Sequence, residues 1–128
     1  MKENALLTLT SLLSILLMTF HLADDIAHGI EPGTLSNYTG VLILVVWLYG
    51  TLMLAGRRSG YVIMLLGSLL GAGMPVIHMR GAGHGGKIAA SSDGLFFIWT
   101  VLAVGVTALF SFILSAPGLW SLRRGQPR

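Results

Sequence analysis

Four uncharged apolar runs, each about as long as a bilayer is thick, decide what this chain can become. They lie at roughly residues 5–23, 38–55, 61–79 and 95–119, and their central parts contain no Asp, Glu, Lys or Arg. A hydrocarbon layer of about 30 Å takes about 20 helical residues to cross. In lipid every backbone N–H and C=O must find its partner inside the segment, so runs of this kind are helices. The expected fold class is all-α: a four-transmembrane-helix bundle of two up-down hairpins. The whole chain, 1–128, then forms a single integral membrane domain.

The composition supports this expectation and excludes several others. Hydrophobic residues are 54% of the chain and charged residues only 10%, against about a quarter charged in an ordinary soluble domain. A water-soluble core of this size could not enclose that much apolar surface. There is no cysteine, so disulfides, thiolate nucleophiles and Cys-type zinc sites are excluded. Lys2 ahead of an apolar run gives the first stretch the outline of a signal peptide. The best cut, after Ala23, puts His21 where a small residue is needed, so the stretch is expected to remain as a span.

Punctuation falls between the runs. Gly29, Pro32 and Gly33 end the first helix, and Ser36 or Asn37 can cap the second. Gly56 closes the second helix and Ser59 caps the third; Ser92 or Asp93 can cap the fourth. Basic residues mark the cytoplasmic side. Lys2, Arg57, Arg58, Arg123, Arg124 and Arg128 share one side with Glu3 alone, whereas Arg80 and Lys87 share the other with Asp24, Asp25, Glu31 and Asp93. Both termini are therefore expected in the cytoplasm, with the protein integral to a membrane of the bacterial inner (plasma) type. The net charge of +3 then reflects topology and anionic lipid heads, not nucleic-acid binding. Tyr38, Phe96 and Phe97 are expected at the outer interface, Tyr61 and Trp120 at the inner one.

Within the spans, Gly67, Gly71 and Gly73 allow another helix to approach the third closely, and Ala103, Thr107, Ser111 and Ser115 make a small-residue stripe on the fourth. Such seams build a bundle, a homo-oligomer or a contact with a partner in a membrane complex. Pro75 predicts a bend one turn before His78. No ionisable group sits at mid-span, where coupled transporters and proton relays place one.

Chemically able residues gather at the outer end. The first helix continues as His21, Leu22, Ala23, Asp24, Asp25, Ile26, Ala27, His28. At about 100° per residue, Asp24, Asp25 and His28 fall about −60°, +40° and −20° from His21, on one face. Residues four apart can hold one ion together, so His21 pairs with Asp25 and Asp24 with His28. His78 is expected at the depth of His21, with His84 six residues on in a glycine-rich connection. The candidate metal ligands are thus His21, Asp24, Asp25, His28, His78 and His84. Imidazoles with carboxylates suit zinc, iron, nickel or copper(II). Met74 and Met79 would favour copper(I) if they joined. Two carboxylates near a helix C-terminus also oppose its dipole, and a metal ion, Arg80 or Lys87 offsets them.

The expected function is therefore a small multi-pass membrane protein binding a transition-metal ion through an extracytoplasmic His/Asp cluster, in metal handling or as an accessory subunit. Two readings compete with it. One is a structural or assembly subunit without a cofactor; the other is a b-type haem carrier with His21 and His78 as axial ligands. No base or nucleophile beyond the ligands points to catalysis. Residues 81–87 imitate a phosphate-binding loop, but Ile88 stands where a hydroxyl is needed and no strand precedes the loop, so no nucleotide is expected. Asn37, Tyr38 and Thr39 form a glycosylation acceptor by pattern only.

Overall fold

The computed structural model describes residues 2–27, 35–79 and 94–123. These residues form four helices: α1 (Lys2–Ala27), α2 (Leu35–Leu52), α3 (Arg58–Met79) and α4 (Gly94–Arg123). Three of them contain stretches long and apolar enough to cross a membrane, Asn4–Ala27, Arg58–His78 and Gly94–Leu122, while Asn37–Leu52 is a shorter apolar helix. α4 packs along α3 and α1, and α2 packs on the other side of the same two helices, so that α2 and α4 do not meet among the described residues.

Helix ends differ from expectation in three places. α2 begins at Leu35, so Asn37 lies inside it. It also stops at Leu52, short of residue 55: Met53 N–H still donates to Tyr49 O at 2.8 Å, but Arg57 N–H turns back to Leu54 O at 3.0 Å. Gly56 makes that turn with φ of +75°, a left-handed conformation that costs residues with a Cβ. The third correction concerns Ser59. Tyr61 N–H donates to Arg57 O at 3.1 Å, so Arg57 holds the entry position of α3 and Ser59 is already helical. α3 runs past Pro75 to Met79 as one helix, with Gly105 of α4 against the proline ring, where a Cβ would come within 2.5 Å of Cγ.

Gly56→Ala is expected to cost about 1–2 kcal/mol through backbone strain. No other atom lies within 4 Å of the added carbon, so the loss, read by reversible unfolding in detergent, reports the turn alone.

Burial inverts the pattern of a soluble protein. Ser11, Ser14, Ser68, Ser111 and Ser115 are fully buried, while Leu9, Leu42, Leu95, Phe96, Trp99 and Trp120 are exposed. Apolar side chains gain nothing by leaving lipid for a protein interior, so close packing of small residues has to hold such helices together. The buried seam of α1 is Leu7, Ser11, Ser14, Met18, His21 and Asp25; that of α4 is Phe97, Val101, Val104, Ala108, Ser111 and Ser115. Both alternate steps of three and four, the spacing that keeps one helix face on a neighbour.

The seam of α4 corrects the expected stripe: Ser111 and Ser115 belong to it, but Ala103 and Thr107 are only half-buried. Phe97 and Tyr61, expected at the interfaces, are buried. Tyr61 lies under Gly118 of α4 and donates its hydroxyl to Asn4 Oδ1 at 2.7 Å. At mid-bundle Trp47 of α2 donates its indole N–H to Ser11 Oγ at 2.9 Å, and Ser11 Oγ meets Thr51 Oγ1 at 2.8 Å. That network fixes α2 to α1.

Candidate metal centre

The seam of α1 delivers two donors on consecutive turns. His21 and Asp25 are 2% and 6% exposed, and His21 Nε2 lies 3.5 Å from Asp25 Oδ2. α3 brings His78 to the same place at its last turn, with Nε2 3.8 Å from the same carboxylate oxygen. The imidazoles of His21 and His78 are edge-to-face, with ring centroids 4.7 Å apart and planes at 81°. Their matched depth is as the sequence implies.

His78 Nδ1 lies 3.3 Å from Met74 O, one turn earlier. Donation of the Nδ1 proton to that carbonyl leaves the Nε2 lone pair facing Asp25 and His21, the usual way a second partner orients a metal-binding imidazole. α4 supplies the remaining wall. Phe97 is fully buried, and its ring centroid lies 5.4 Å from that of His21 and 6.1 Å from that of His78. The sequence signal for its burial is its membership of the 97, 101, 104, 108 series.

One atom from each of His21, Asp25 and His78 lies within 4.8 Å of the other two. For an ion bound at about 2.0–2.1 Å in a tetrahedron, the ligand atoms stand about 3.3 Å apart. The two nitrogen-to-oxygen separations, 3.5 and 3.8 Å, exceed that by a few tenths of an ångström, and all three donors lie within 4.8 Å of one another. Among the described residues, neither ring nitrogen of His21 makes a hydrogen bond, although both are buried. An unmet buried polar group costs about 1–3 kcal/mol, and coordination of an ion is one way to recover it.

The remaining predicted ligands fare differently. Asp24 is half-buried beside Asp25 on α1 and does not join the close group. His28 and His84 lie outside the described residues, as do Arg80, Lys87 and the 81–87 loop. The sequence places the cluster on a polar cap; its described part lies between α1, α3 and α4, with a cavity on its α2 side. The haem reading does not fit this geometry, because axial imidazoles stand on opposite faces of a macrocycle, and rings in edge contact at 4.7 Å leave no gap for one.

Fold and site together define a class of protein: an all-helical chain of membrane-spanning character with two histidines and one aspartate converging between its helices. No protein-family model, curated protein or solved structure matches the chain.

Proposed function

We propose that this chain is a small four-span membrane protein, with both termini in the cytoplasm, that binds one divalent transition-metal ion near its extracytoplasmic end. His21, Asp25 and His78 are the protein ligands, and the role is metal handling or service as an accessory subunit of a metal-dependent complex. Asp24 acts as an outer acceptor. The observation that carries the reading is the convergence of three donors from two helices on one point, with a buried imidazole whose nitrogens have no hydrogen bond among the described residues.

The donor set narrows the metal. Two imidazoles and a carboxylate are borderline-to-hard ligands suited to zinc, iron(II), nickel or copper(II) rather than to copper(I). The asymmetry of basic residues between the connections supports the topology.

Purification in detergent without chelator should yield about one equivalent of metal per chain by elemental analysis. Protein stripped with chelator should take up one equivalent of Co(II) and show the intense visible bands of a low-coordinate site. Metal-free protein that gives no Co(II) band would remove this reading and leave the assembly-subunit one.

A further inference from the structure

Three protein donors leave a tetrahedral ion one ligand short, which is how sites that act on an exogenous molecule are built. The α4 side of the cluster is shut by the Phe97 ring. On the opposite side His21, Asp25 and His78 form one end of a cavity of about 180 Å³ between α1, α2 and α3, with Met18, Leu44, Trp47 and Leu70 among its other walls. Ile43 and Ile77 also line it, and both are exposed on the outer surface of the bundle. The cavity therefore opens toward the surface that faces lipid.

An apolar cavity of about 150 Å³ is large enough for benzene. A charged molecule would not cross its walls without a large desolvation cost. Resting on the metal reading above, we propose that this cavity admits a small neutral molecule of about one aromatic ring from the bilayer. That molecule presents a single nitrogen or oxygen lone pair to the open position of the ion held by His21, Asp25 and His78. Entry is lateral, between α2 and α3. The apolar walls select for size and neutrality, and the ion selects for the lone pair.

The test uses the full chain in lipid nanodiscs, loaded with Co(II), and two nearly isosteric probes. 3-Fluoropyridine carries a donor lone pair; fluorobenzene does not. Pyridine should shift the Co(II) visible bands saturably at one equivalent, while fluorobenzene should compete for the cavity, as read by fluorine NMR, without moving the bands. Ile43→Trp, which narrows the mouth from α2, should weaken both probes at least tenfold and leave Co(II) affinity unchanged. Ile77→Trp does the same from α3 if the first variant fails to fold. A normal Co(II) spectrum that pyridine leaves unmoved, or probe binding insensitive to both tryptophans, overturns the cavity proposal with the metal site intact. Absence of any Co(II) band instead removes the metal reading, and the cavity proposal falls with it.

Discussion

His21→Leu is expected to lower Co(II) or Zn(II) affinity by at least about a hundredfold, while metal-free protein keeps its stability or gains about 1–2 kcal/mol. The two effects have opposite signs for one reason. A three-ligand site that loses an imidazole loses more than the roughly 10- to 100-fold typical of an outer partner. The same imidazole is buried at 2% exposure with neither nitrogen hydrogen-bonded among the described residues. Replacing an unsatisfied buried polar group by an apolar one of similar size relieves a desolvation cost. Asp25 Oδ2 still lies 3.8 Å from His78 Nε2.

Asp24→Asn serves as the control on the neighbouring position. It lies outside the close group, so its effect on affinity should not exceed about tenfold. Titration of Co(II) by absorbance, with unfolding in EDTA measured in parallel, checks both variants. If His21→Leu instead destabilises the metal-free protein by about 3–5 kcal/mol, as removal of one member of a buried ion pair does, the cluster is structural and the metal assignment is wrong.

The sequence carried much of this arrangement, and the places where it misled have identifiable causes. The long apolar helices were legible because lipid forbids unpaired backbone, and no tertiary contact competes with that constraint. His21 and Asp25 were legible from helical spacing, and His78 from the depth at which α3 ends. The choice of Asp25 over Asp24 was not, because both share a broad face with His21. The decision depends on which side of α1 the fourth helix covers, and the buried series ending in His21 and Asp25 shows that side. That Phe97 is covered was not legible for the same reason: an aromatic near a helix start does not show which neighbouring helix packs over it.

The third-helix glycines allow the sharpest test of packing, because one substitution should have opposite signs fewer than two turns apart. Gly67→Ala is expected to destabilise the folded bundle by about 1–3 kcal/mol, the usual cost of overpacking. The added carbon would fall within the Trp47 indole, and that ring cannot easily yield. It is 2% exposed, and its N–H is committed to Ser11 Oγ at 2.9 Å, which is itself bonded to Thr51 at 2.8 Å. Moving the indole therefore loosens α2 from α1 as well as from α3. Gly73→Ala meets nothing within 4 Å, so only helix propensity remains, a gain of up to about 1 kcal/mol. Gly71→Ala falls between them, since its carbon would lie 2.8 Å from Ala108 Cβ and 3.4 Å from the far edge of Trp47. The order of stability in reversible detergent unfolding should be Gly73→Ala, then wild type, then Gly71→Ala, then Gly67→Ala. If Gly67→Ala is as stable as Gly73→Ala, Trp47 does not anchor α2 against α3, and the cavity wall that depends on it is misplaced.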